Sequence, residues 1–220
     1  MEKNIPLYYK LIFIISNTCV GSSVIRHLGI FPYNNPFIST FIPNDEHFNK
    51  LANNFIEYIN MEPLLGEPSE TSIFALQNNS KWYKNTSVPI PYPVLYIGDI
   101  EIHCIHDRDL NECLNKFMRR LIRTRNIINE GNYHIYFILS FSELINDNEN
   151  IEQYIDNFLE YNCEYIQKFF IGPEKYMKDF KNYIPINEWN NIELKRDDSN
   201  VYIFNDQTFN TNKFLEIFHK

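Results

Sequence analysis

The stretch Tyr8–Ile15 (YYKLIFII), followed by Ser16-Asn17-Thr18-Cys19-Val20-Gly21-Ser22, decides how the chain is read. The first part is a short, nearly continuous apolar run rich in β-branched and aromatic residues, the pattern of a strand buried on both faces. The second is a polar turn that opens a short helix ending at Leu28-Gly29. Strand, loop and helix in that order are the opening of an α/β fold. The run Leu11–Ile15 is too short for a signal peptide or a membrane span, so the expectation is a cytoplasmic protein without a membrane span.

Outward from this start, Asn44 is placed to cap a helix in which Phe48, Leu51, Phe55 and Ile59 recur at helical spacing. Residues 62–93 are rich in prolines and turn formers, with one strand expected at Ser72–Leu76. They read as a lid or an excursion over the site. Val94–Ile97 and Ile100–Ile105 form two strands joined at Gly98-Asp99, or one strand with a bulge there. Asp109 to about Asn129 is the clearest helix, with Leu110, Leu114, Phe117 and Leu121 on one stripe, and Gly131-Asn132 stops it. Tyr133–Leu139 is a strong strand, Ile151–Leu159 a helix and Tyr165–Ile171 a strand; a helix opens at Pro173, and Val201–Phe204 and a helix from about Asn212 close the chain. The alternation predicts a single α/β domain over residues 1–220, with a mainly parallel sheet and helices on both faces.

The formal charge of −8 and pI near 5.3 argue against duplex nucleic acid as a partner, because phosphate neutralisation needs a surplus of Lys and Arg across a face. The four cysteines, Cys19, Cys104, Cys113 and Cys163, have neither the paired spacing of a zinc site nor the density of a disulfide scaffold, and read as reduced thiols.

Ligands of open α/β sheets collect beyond the carboxyl ends of the strands. Three reactive positions follow expected strands: Cys19, His106 with Asp107, and Glu143. A thiol in a turn before a helix lies near unpaired N–H groups that lower its pKa, so Cys19 reads as a nucleophile with His106 as its base and Asp107 or Glu143 orienting the imidazole. A small buried hydrophobe is the other reading of Cys19. His103 and His106 differ by an odd number and point to opposite faces of a continuous strand, so they cannot both reach one ligand, which weakens a two-histidine metal site; a hydrogen-bonded sheet histidine is the other reading of His103. Asp107-Arg108-Asp109 has the Asp-x-Asp pattern with which many glycosyltransferases hold a divalent ion and a diphosphate, while Asp109 equally fits a helix N-cap. No cofactor is named by the residues; the alternative is a divalent metal on Asp107 and Asp109. Lys116, Arg119, Arg120 and Arg123 stack on one helix face, suited to an anionic ligand or to a solvated surface.

Ile15–Gly21, Asn35-Pro36-Phe37, Tyr92-Pro93, Gly98–His103, His106, Arg119-Arg120 and Arg123 together resemble an uncharacterised bacterial family named for exopolysaccharide biosynthesis, over roughly the first two thirds of the chain. The resemblance implies a role in surface-glycan assembly, with a saccharide or nucleotide-sugar substrate. Asn17, Gly21, His103, Arg119, Arg120 and Arg123 then join the substrate-binding set. Cys19, Pro36-Phe37, His106-Asp107 and Arg119-Arg120 are similar to a family of expected papain-like cysteine peptidases, which implies a Cys/His site. Ile38-Ser39 departs from that family's acidic and aromatic pair, and no third triad member can be named. The leading expectation is an enzyme that transfers a group to or from a sugar. A cysteine hydrolase or acyltransferase, a metal-dependent glycosyltransferase and a non-catalytic glycan-binding protein are the alternatives.

Overall fold

A computed structural model describes residues 11–18, 34–38, 40–73, 92–131, 133–140, 151–160, 165–173, 183–186, 195–196 and 202–203. Cys19, Gly21, Glu143 and Cys163, the helix expected to end at Leu28-Gly29 and the helix expected from Asn212 lie outside these residues; Pro173, the expected opening of a helix, is itself the last residue of a strand, and the residues that directly follow it lie outside.

The opening strand is present as β1 (Leu11–Ser16). It pairs in parallel with β5 (Tyr133–Ser140), which pairs in parallel with β6 (Ile166–Pro173) and that in turn with β7 (Tyr183–Ile186). β5 lies inside this sheet and Ile135–Leu139 is buried without interruption, which is why its sequence shows no polar alternation. This four-stranded sheet is parallel throughout, but the described architecture as a whole is mixed. A second sheet is antiparallel, β2 (Pro63–Gly66), β3 (Val94–Ile97) and β4 (Ile100–His103), and a third pairs β8 (Lys195–Arg196) with β9 (Tyr202–Ile203). β2 escapes a pattern search because Leu64 and Leu65 are exposed at its edge and no alternation survives. Residues 70–73 are helical, not the start of a strand.

Gly98 turns the β3–β4 hairpin with φ of 58°, settling the two alternatives in favour of two strands. The expected helix after Asn44 is split at Asn54 into α1 (Asp45–Asn53) and α2 (Phe55–Tyr58); the Asn44 side chain accepts from the His47 N–H at its start. α3 (Leu110–Glu130) and α4 (Ile151–Leu159) stand where helical spacing puts them, and α3 ends on Gly131 in the left-handed conformation.

One buried cluster joins the two larger sheets and helices α1 to α4. Phe137 of β5 meets Phe48 and Phe55 edge-on, Phe48 stacks on Phe158, and Phe37 bridges Phe55 and Phe117. Each such ring removes a large apolar area from water and adds a preferred ring geometry. Among the described residues, the helices therefore build on the Phe137 side of the sheet, while Tyr136 and Ile138 are buried on the other. No helix among the described residues is long and apolar enough to cross a membrane.

Candidate functional site

The site is assembled by backbone bonds that draw the end of β1 toward the end of β4. Asn35 donates through Nδ2 to the Ile14 carbonyl, and its Oδ1 accepts the Phe37 N–H, so Asn-Pro-Phe is a buried staple on β1. Thr40 Oγ1 closes the turn by donating to the Phe37 carbonyl. The chain then extends, and its two edges are used separately. Phe41 exchanges both backbone bonds with His103, at 2.9 and 2.8 Å, while the Ile42 N–H donates to the Asn17 carbonyl at 2.9 Å. Asn17 and His103 thus flank one extended segment, about 10 Å apart by strand spacing.

His103 is held inside the protein. Its side chain is fully buried and belongs to a chain of hydrogen bonds with Glu101, one face of β4 carrying both because they are two residues apart. Nε2 meets Glu101 Oε1 at 2.8 Å and Nδ1 meets the Tyr92 hydroxyl at 3.1 Å. Ionised Glu101 can only accept, so in the neutral imidazole Nε2 carries the proton and Nδ1 accepts from Tyr92. The second carboxylate oxygen accepts from Ser69 Oγ at 2.6 Å and Ser72 Oγ at 2.9 Å, and the Ser69 N–H adds a bond to Oε1. Burial pushes the Glu101 carboxyl up, but the bonds from His103, Ser69 and Ser72 outweigh it and hold the pKa at about 2. His47 accepts the Glu101 backbone N–H at Nδ1, and burial keeps its imidazole below the usual range. The arrangement can orient the Tyr92 hydroxyl and pass a proton between it and His103. The i, i+2 relation of Glu101 and His103 was a signal in the sequence for this pairing; nothing local to Ser69 and Ser72 announced theirs.

Beyond β4 the chain turns sharply, the Asp107 N–H donating to the Cys104 carbonyl at 2.9 Å. His106 is exposed in this turn. The Asp107 carboxylate pairs with Lys116 of α3, one of the four cations on the ridge. Asp109 caps α3, its Oδ1 accepting the Glu112 N–H at 2.7 Å, so the Asp-x-Asp pattern is divided between an ion pair and a cap. Arg119 and Arg123 are exposed and Arg120 is half-buried, where desolvation lowers its pKa while Asp107 opposes the fall. Arg125, two positions past the ridge, serves structure by donating to the carbonyls of Ile59 and Met61.

The same turn brings Cys104 and Cys113 together, a pairing the sequence spacing hid because α3 folds back over the end of β4. A hydrogen bond to Cys113 and burial push the Cys104 thiol up, and the bond it donates holds Cys113 down. Of the expected site residues, the described structure gathers Asn17, His103, His106, Asp107 and Asp109 around the β1 and β4 ends and runs Arg119, Arg120 and Arg123 along the adjoining helix. Cys19 and Glu143 follow β1 and β5, adjacent parallel strands, but lie outside the described residues.

No curated protein and no solved structure matches the chain. A family profile does, over residues 1–216, and its description is a domain of unknown function, DUF1919. The chain, matched over nearly its whole length, therefore belongs to the DUF1919 family.

Proposed function

We propose that the protein is an enzyme of surface-glycan assembly that transfers a group to or from a sugar, at the edge where the loop after β1 meets the turn after β4. Cys19 acts as nucleophile and His106 as its base, and Arg119, Arg120 and Arg123 hold an anionic donor such as a nucleoside diphosphate sugar. One observation supports this reading above others: the Phe41-Ile42 segment bonds to Asn17 on one side and His103 on the other, so the loops that begin there start from one edge. Positioning two groups within reach of one substrate supplies much of the advantage of an enzyme over solution chemistry. The exposed His106 is accessible to a proton donor, and the half-buried Arg120 has lost part of its hydration and so binds an anion at lower cost.

The metal-dependent glycosyltransferase reading is less favoured, since it needs the Asp109 carboxylate, which caps α3. The test is the pH dependence of Cys19 alkylation, followed by peptide mapping in the unaltered protein and in His106→Ala. A Cys19 thiolate forming well below the usual cysteine pKa of about 8.5, and returning toward it without His106, is the expected result. An unreactive Cys19, or a titration indifferent to His106, sinks the mechanism. A saccharide bound without turnover would make the protein a glycan-binding module.

A further inference from the structure

We infer that Cys104, Asp107 and Cys113 form a binding site for a thiophilic divalent cation of the zinc class. The three offer two sulfurs and one carboxylate oxygen, all within 4.8 Å of one another. Tetrahedral zinc, with bonds of about 2.3 Å to sulfur and 2.0–2.2 Å to oxygen, separates its ligands by somewhat less than 4 Å, so a small rotamer contraction closes the set. Two thiolates and a carboxylate select zinc-like ions over magnesium or calcium, which want oxygen alone.

Three features of the fold prepare the set. Cys104 leaves β4 with its N–H bonded to the Pro93 carbonyl, and the bond from the Asp107 N–H to the Cys104 carbonyl fixes those two ligands in one turn. The Asp109 cap fixes where α3 begins, and the Cys113 N–H donates to the Asp109 carbonyl, so the third ligand sits on a helix start defined by the same loop. Both sulfurs are buried, whereas Asp107 and Lys116 are partly exposed.

Charge also balances. Two thiolates and the Asp107 carboxylate carry three negative charges, and a divalent cation with the Lys116 ammonium carries three positive ones. Lys116 pairs with one carboxylate oxygen and leaves the other to coordinate. Binding releases the two thiol protons to solvent, and no electron moves. Three protein ligands leave a fourth position on the exposed side of Asp107, the open kind of site at which a water or a substrate oxygen binds.

The experiment is titration of the reduced, metal-stripped full chain with Co²⁺, reading thiolate-to-cobalt charge-transfer absorption. One equivalent should saturate the band, and Zn²⁺ should abolish it by displacement. Cys104→Ser and Cys113→Ser should each lose most of the intensity, and Asp107→Asn should weaken affinity by at least about 10–100-fold, the loss seen when even a group that only supports a ligand is removed. Cys19→Ser and Cys163→Ser should keep the band. Folding of every variant is checked by circular dichroism, and Zn²⁺ should raise Tm of the parent. No charge-transfer band in the reduced parent overturns the site, whatever the variants do. So does a band that survives loss of both Cys104 and Cys113.

Discussion

His103 and Cys104 are neighbours in sequence, yet the clusters they belong to are opposites. Around His103 every polar atom of Glu101 is answered within the protein: two serine hydroxyls, one backbone N–H and an imidazole converge on a carboxylate with no exposure. Around Cys104 the groups are a thiol pair, a partly exposed carboxylate and a lysine, drawn from a turn and a helix start. A saturated buried network holds a strand in place because every alternative costs a hydrogen bond. A cluster with spare ligand capacity at the surface is where something from outside can be received.

The largest way to break this contrast is at Glu101. Glu101→Gln puts an amide N–H₂ among four donors and should cost roughly 3–5 kcal/mol, the range for breaking a buried pair, read as a drop in the urea midpoint at pH 7. The pH dependence has a defined sign. Because folding depresses this carboxyl from 4.5 to about 2, its stabilisation is fully present above pH 4.5 and is lost as pH falls toward 2. The amount at stake is about 3 kcal/mol, from about 1.4 kcal/mol per pKa unit. Glu101→Gln should flatten stability across that acid window; an unchanged slope would show that Glu101 is not held as an anion.

Next in size is Gly98→Ala. A side chain there would be strained by φ of 58° and its Cβ would come within 2.8 Å of Met61 Sδ, so a loss of about 1–2 kcal/mol is expected by thermal unfolding. The Glu101 network should feel this through the hairpin, while cobalt binding by the other cluster should not. Asp109→Ala should do the reverse. Removing the cap costs about 1 kcal/mol, and because Cys113 rides on the same helix start, cobalt affinity should fall with it while the acid-window slope stays. A drop in both properties for either variant would mean the clusters are coupled and the contrast is wrong.

Elements with a strong period were legible in the sequence. α3, α4, β1 and β5 stand close to where apolar spacing puts them, since each buries a defined face. β2 and β7 were not: β2 depends on a partner remote in sequence, and β7 is only four residues with a proline among them. The site was legible in part for the same reason. The ends of β1 and β4 mark it, but the ladder through Phe41-Ile42 and the approach of Ser69 to Glu101 are long-range pairings without a local signature. The i, i+2 spacing of Glu101 and His103 on one strand was a signal that the sequence reading did not use, and Cys113 beside Cys104 needed the path of α3 over the strand end.

The smallest expected effect on stability is the sharpest probe of the second cluster. Lys116→Met keeps the aliphatic stem and removes a partly exposed ion pair, a change worth about 0–1 kcal/mol. Its consequence for the thiols should be larger than that figure suggests. The Lys116 ammonium favours the Cys113 thiolate, so without it the Cys113 pKa should rise and alkylation of Cys113 at neutral pH should slow. Peptide mapping after brief iodoacetamide exposure reads this at Cys113 alone. A slower Cys113 in a protein of unchanged stability would mean that Lys116 serves the chemistry of the cluster rather than the fold. An unchanged rate would leave Lys116 as an ordinary surface partner of Asp107 and remove the charge balance on which cation binding was argued.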